Sequence, residues 1–200
     1  MSRSSSHCLQ KEWLKLDTNN INKENLIKNI TDQIKEAQIK LGYAKETMRF
    51  YYPISSLNAI LGTDYQDEHV MADDLDRSLE FKNTILGELK FETHGGRIEI
   101  NVPPEGAEYV EKNVETPRFL SDIIHLFMNH HHCEIADITE IFSRYSDKFC
   151  CEKMPKGIDF DYVLYFTEDG IDEYYYCIKM EMGHTIYHRF KKEDYELMFV

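Results

Sequence analysis

No stretch of this sequence approaches the roughly 18 consecutive apolar residues of a transmembrane helix, so no helical membrane span is expected. The start, Met1 to His7, is polar and Ser-rich and lacks the apolar stretch of a secretory signal, which makes a reducing cytoplasm the expected compartment. Cysteine is sparse and poorly spaced for cross-linking. There are five (Cys8, Cys133, Cys150, Cys151, Cys177), with no C-x-x-C pair, and the adjacent Cys150 and Cys151 cannot easily bridge to each other. All five read as free thiols. The marks of phosphate loops, dinucleotide-binding turns, nucleophile elbows and zinc proteases (G-x-x-x-x-G-K-[ST], G-x-G-x-x-G, G-x-S-x-G, H-E-x-x-H) do not occur. Nor does any internal repeat or low-complexity segment. Enzymatic function is therefore unsupported: no catalytic residue, cofactor-binding residue or metal ligand is assigned, and no cofactor is expected.

Positive charge is also in short supply. The formal net charge of the 200 residues is -13, and its distribution is uneven: +3 over residues 1–62, -9 over 63–116 and -7 over 117–200. Such a field opposes nucleic acid and anionic membrane, and favours basic partners or plain solubility. A hydrophobic content of 42% is ample for a packed core.

Helical periodicity is clearest over Lys23 to Leu41, where Leu26, Ile27, Ile30, Ile34, Ala37 and Leu41 form one stripe and Gly42 sits at the stop. A short aromatic strand, Thr47 to Tyr52, ends at Pro53. Ser55 or Ser56 can cap a second helix running to Leu61, and a third is expected over about Asp67 to Thr84, with Val70, Met71, Leu75 and Leu79 at helical spacing. Leu89, Phe91 and Thr93, then His94-Gly95-Gly96, then Ile98, Ile100 and Val102 spell a β-hairpin. A helix over about Glu105 to Asn113 follows Pro103-Pro104.

Glu115-Thr116-Pro117 marks a joint. Beyond it come two apolar helices (Phe119 to Met128; Ile135 to Tyr145). Four strands follow, about Lys148–Met154, Phe160–Thr167, Glu173–Met182 and His184–Phe190, with Asp169-Gly170 as an expected tight turn. Lys192 to Phe199 reads as a closing helix. Leu9, Trp13 and Leu16 suggest a further short helix near the start. The expected fold is α+β: a tail with a short helix (1–20), a winged-helix-like unit (21–115) and an α+β unit with an antiparallel sheet (116–200), packed as one body.

The order helix, strand, helix, helix, hairpin is the ground plan of a winged helix-turn-helix, which usually places its recognition helix in the DNA major groove. Residues 64–82, which contain that helix, carry seven acids against Arg77 and Lys82, and the hairpin adds only Lys90 and Arg97. Phosphate contacts need the opposite sign. Three function classes are weighed: a non-enzymatic protein-binding or regulatory protein, which leads; a DNA-binding transcriptional regulator using Lys28, Lys35, Lys40 and Lys45; and an enzyme with an unrecognised site among His184, His188, Cys177 and the acidic loops Asp159-Phe160-Asp161 and Thr167 to Glu173. The expected partner is another protein, with neither nucleic acid nor membrane.

The run His130-His131-His132-Cys133 invites a metal, but adjacent helical residues point about 100° apart and cannot converge on one ion. Favourable placement at a negative helix end accounts for the histidines. Thirteen tyrosines, crowded at Tyr162, Tyr165, Tyr174, Tyr175, Tyr176 and Tyr187, suit half-buried sheet faces. A partner-contact patch is the alternative.

The strings Gln38-Ile39-Lys40-Leu41-Gly42-Tyr43, Arg49-Phe50-Tyr51-Tyr52-Pro53-Ile54-Ser55-Ser56-Leu57-Asn58, Pro103-Pro104-Glu105-Gly106-Ala107-Glu108-Tyr109-Val110 and Tyr187-His188-Arg189-Phe190 resemble an uncharacterised bacterial family of about this length, a domain of unknown function. The resemblance covers about residues 20–195. It implies a bacterial cytoplasmic protein and carries over no functional residue.

Overall fold

The computed structural model describes residues 22–130, 132–182 and 184–199. The expected helix around Trp13, together with Cys8 and His131, lies outside the described residues. Helix α1 (Lys23–Leu41) begins at Asn22, whose side chain accepts from the Asn25 N–H at 3.3 Å, and ends where the Gly42 N–H reaches the Gln38 carbonyl. Its Leu26, Ile27, Ile30 and Ile34 are buried, as the 3.6-residue period requires.

Strand β1 (Met48–Tyr52) leads into α2 (Ile54–Leu61) and α3 (Glu68–Arg77), then β2 (Lys90–His94), β3 (Arg97–Val102) and α4 (Pro104–Asn113). The three strands form an antiparallel sheet in the order β1-β3-β2, with Phe50 and Phe91 both opposite Ile100. Alternation sends Phe91, Ile98, Ile100 and Val102 into a core shared with α1, α2 and α3. The tip is Gly95-Gly96, at φ 58° and 75°, which a side chain would disfavour.

Local differences from the sequence reading have physical causes. Helix α2 starts directly after Pro53, without a serine cap. Helix α3 stops at Arg77, because Ser78 turns extended and its hydroxyl accepts from the Glu80 N–H to start a 3-10 turn, Leu79–Phe81. That turn buries Phe81 and leaves Leu79 85% exposed, so a helical extension to Thr84 does not form.

Gly106 in α4 shows how closely this half packs: a Cβ there would lie 2.5 Å from Val102 Cγ1 and 2.7 Å from the Leu86 carbonyl oxygen. The carbonyl belongs to the backbone and cannot swing aside. Gly106→Ala should lower folding stability by about 1–3 kcal/mol through overpacking. Urea unfolding checks this, and a variant as stable as wild type would contradict the packing.

The second half contains α5 (Arg118–Asn129), α6 (Ile135–Tyr145), β4 (Phe149–Lys153), β5 (Tyr162–Phe166), β6 (Tyr174–Glu181), β7 (His184–Lys191) and α7 (Lys192–Phe199). The strands make an antiparallel meander, β4-β5-β6-β7. Leu164, Phe166, Tyr176 and Ile178 pack with Phe119, Ile123, Ile124, Ile138 and Phe142 of α5 and α6. On the other side, Val163 and Cys177 pack with Met154, Tyr175, Phe190 and the α7 rings Tyr195 and Phe199. The seven helices and two antiparallel sheets of the described residues make an α+β protein. Asp169-Gly170 does not form a two-residue turn: residues 167–173 make a wider loop, held by Asp172 accepting from the Tyr174 N–H at 2.8 Å.

Candidate functional site

Lys28, Asp32, Glu36 and Lys40 are spaced four apart on α1, so they share one face of the helix. That face meets the second sheet. Lys28 pairs with Glu173 at 2.8 Å; Asp32 accepts from the Tyr174 hydroxyl at 2.8 Å; Glu36 accepts from Tyr187 at 3.0 Å and from Arg189 at 2.7 Å. Lys40 donates to Glu36 at 2.7 Å and lies 4.8 Å from the centre of the Tyr187 ring. On the sheet, Tyr176 is opposite Arg189 and Ile178 is opposite Tyr187, so these side chains emerge on one face. The Arg189 guanidinium lies 4.0 Å over the Tyr174 ring. Asp172 accepts from the Tyr176 hydroxyl at 3.1 Å.

Burial tunes the acids in this junction. It pushes the Glu36 carboxyl up, but Arg189, Lys40 and Tyr187 outweigh it and hold Glu36 below the usual carboxylate range. Asp172 goes the other way, because its burial outweighs Arg189 and the donors around it. The two have opposite consequences for acid stability. Glu36, depressed in the folded state, contributes stability that is complete above its unfolded value of about 4.3 and is lost as pH falls through its folded value. Asp172, raised in the folded state, partly offsets that loss on acidification. Asp172→Asn should therefore remove the gain in stability on acidification that lies above about pH 3.9, and Glu36→Gln should flatten the loss below about pH 4.3. Chemical denaturation at a series of pH values separates the two, and identical slopes in both variants would refute the assignment.

Beside this network, between α1, the joint at Val114 to Pro117 and the loop before β6, lies a cavity of about 180 Å³ bordered by Lys28, Asp32, Lys35, Asp172, Glu173 and Arg189 among others. Sequence reading missed it. The signals present were the four-residue spacing on α1 and the alternation of Tyr187 and Arg189, but nothing showed that the two surfaces would meet.

Of the residues singled out from sequence, Cys177 and His188 come together and the others lie apart from them. Cys177 is buried opposite His188, on the α7 side of the sheet, and burial pushes its thiol up to about 12. His188 stands against Phe160, with ring centres 5.4 Å apart. His184 borders a separate depression with Phe127, Met182 and Ile186. The loop from Thr167 to Glu173 faces another cleft, of about 690 Å³, beside Lys191 to Glu196. Asp161 is a structural acceptor for the Met180 N–H at 2.7 Å. Among the described residues, Cys177 and His188 therefore meet across β6 and β7, while His184 and the loop from Thr167 to Glu173 border other depressions. Cys133 is buried, its N–H donates to Thr185 Oγ1 at 3.0 Å, and the Thr185 hydroxyl donates to its carbonyl, which ties the α5–α6 joint to β7. Among the described residues, no group of three or more His, Cys, Asp or Glu is placed to hold a metal ion.

The lysines offered as an alternative DNA surface are also accounted for. Lys28 and Lys40 are paired as above, Lys45 pairs with Glu108 at 3.1 Å, and Lys35 is buried. Their charges are neutralised or withdrawn, so they form no basic stripe. The crowded tyrosines are likewise taken up: Tyr174, Tyr176 and Tyr187 in the junction, and Tyr165, Tyr175 and Tyr195 in a stack with centres 4.2 and 4.8 Å apart.

On α3, Asp76 turns to the hairpin and accepts from the Phe91 N–H at 3.1 Å, while other acids remain outward. Asp73 and Asp74 are exposed, Arg77 is held by Asp73 at 3.0 Å, and Val70 is 50% exposed between them and His69. His69 Nδ1 lies 2.9 Å from the Thr93 hydroxyl, which fixes the helix against the hairpin.

Residues 23–199 match the model of a family described as "Domain of unknown function, E. rectale Gene description (DUF3877)". The chain belongs to this family. The DUF3877 match takes in both sheets, all seven helices and the junction between the two halves, and it contains each of the strings that carried the resemblance. No curated protein and no solved structure matches the chain. No described helix is long and apolar enough to cross a membrane.

Proposed function

We propose that this DUF3877 protein is a non-enzymatic binding or regulatory protein whose partner is another protein. In this reading, residues 21–115 form a winged-helix-like unit that has lost DNA-binding character, and residues 116–200 form the α+β unit behind it. One observation carries it: the outward surface of α3, where a winged helix meets DNA, holds exposed Asp73 and Asp74, an Arg77 already paired, and a half-exposed Val70. The 85% exposed Leu79 follows in the next turn. Acids around exposed apolar side chains suit a protein surface with basic residues and repel phosphate. The separation of His184 and the loop from Thr167 to Glu173 from the Cys177–His188 pair supports a non-enzymatic role.

A photo-crosslinking residue at position 70, introduced in the producing cell, tests this. The expected result is a discrete protein adduct that disappears when Asp73→Lys and Asp74→Lys are added. Adducts to DNA, or a protein adduct indifferent to the charge reversal, would overturn the reading.

A further inference from the structure

The cavity at the junction contains polar groups whose requirements the protein leaves unmet. Lys35 is buried, its side chain only 7% exposed, and its ammonium has no hydrogen bond to the described residues. Its one ion-pair contact among them, to Glu111, is at the 4.0 Å limit. Arg189, its side chain 6% exposed, gives one nitrogen to Glu36 but leaves its buried Nε without a hydrogen-bond partner among the described residues. Both residues border the same cavity. An ammonium that borders a cavity without a hydrogen-bond acceptor, beside a guanidinium whose Nε is buried and unpartnered, favours an anionic acceptor in that cavity. The other cation on the wall, Lys28, is already committed to Glu173.

We propose that this cavity binds a small monocarboxylate that also carries a hydrogen-bond donor, a molecule of hydroxy-acid or amino-acid size. Its carboxylate accepts from Lys35 and lies in the field of Arg189, and its hydroxyl or amino group donates to the carboxyls of Asp32 or Asp172 on the same wall. The volume sets the size: about 180 Å³ is well below the roughly 300 Å³ at which ordinary metabolite and drug sites begin. The wall also sets the charge. With Asp32, Glu115, Asp172 and Glu173 present, a phosphate dianion meets repulsion that a monocarboxylate with a donor end turns into hydrogen bonds. The site joins α1 of the first half to the sheet of the second, so occupancy adds contacts across both. This proposal does not depend on the partner of α3.

Calorimetric titration of the full chain with lactate, glycine, acetate and inorganic phosphate tests it. Saturable binding of lactate or glycine is expected, with acetate and phosphate weaker. Lys35→Met keeps the length of the side chain and removes its charge; circular dichroism confirms its fold, and its affinity should fall about tenfold or more. Asp172→Asn should reduce the preference for lactate or glycine over acetate. Absence of saturable binding by all four probes up to about 50 mM, tighter binding of phosphate than of any carboxylate, or unchanged affinity in a folded Lys35→Met protein would each overturn the proposal. Failure here leaves the crosslinking result at position 70 untouched.

Discussion

Replacing Arg189 with alanine should lower folding stability by about 3–5 kcal/mol, the range for removing one partner of a buried ion pair. The loss comes from what is left behind. Glu36 keeps its charge but retains only Lys40 and Tyr187 as partners, and the ring of Tyr174 loses the guanidinium lying 4.0 Å above it. Tyr176, buried beneath the same group, loses its cationic neighbour as well. If the stranded charge is the cause, a double replacement Glu36→Met with Arg189→Met should be markedly more stable than Arg189→Ala, because apolar substitutes for both ions avoid the uncompensated carboxylate. Urea unfolding of the three proteins decides it. A single-mutant loss below about 1 kcal/mol would show that the junction is solvated and does not hold the halves together.

Phe119→Ala should be comparably severe, by a different mechanism. The ring is the hub of the second core: Phe142, Tyr145, Phe166 and Tyr176 surround it edge-on, with centres at 4.9, 5.3, 4.8 and 5.6 Å. Truncation of such a residue costs about 3–5 kcal/mol, through lost transfer energy and the cavity that remains. Each edge-to-face pair adds to that. For a chain of this size, the loss corresponds to a fall in Tm of about 10 °C or more. Calorimetry measures it directly, and Phe119→Leu, which fills much of the space, should fall far less. Equal effects of the two substitutions would contradict the cavity account, because the volume that leucine restores would then contribute nothing.

The two effects mark the boundary between what was readable from sequence and what was not. Phe119, Ile123 and Ile124 announce their burial by helical spacing, and Leu89 to Val102 announces a hairpin by alternation and a Gly-Gly tip. Both are local signals, set by periods of 3.6 and 2. Element order, and hence the α+β class, followed from them. Arg189 was different. Its role depends on α1 lying against β7, about 150 positions away in the chain, and no local pattern records which two polar stripes will meet. The same limit explains the tyrosines, whose hydroxyls found carboxylates on α1 and in the 167–173 loop. It also explains Lys28, Lys35, Lys40 and Lys45, which form a basic series only while their partners are out of view. The early stop of α3 was a local contest that propensity could not decide: Ser78 capping a new turn, with burial of Phe81, prevailed over continued helical spacing at Leu79.

The proposed function requires that the exposed face of α3 does not read DNA. Fluorescence anisotropy of a labelled random duplex, titrated with the protein at about 20 mM salt, tests it where electrostatic binding is strongest. The account predicts no binding by the wild type, and weak, salt-sensitive binding once Asp73→Lys and Asp74→Lys reverse the charge on the same scaffold. Binding by the wild type that weakens steeply as salt is raised would contradict it.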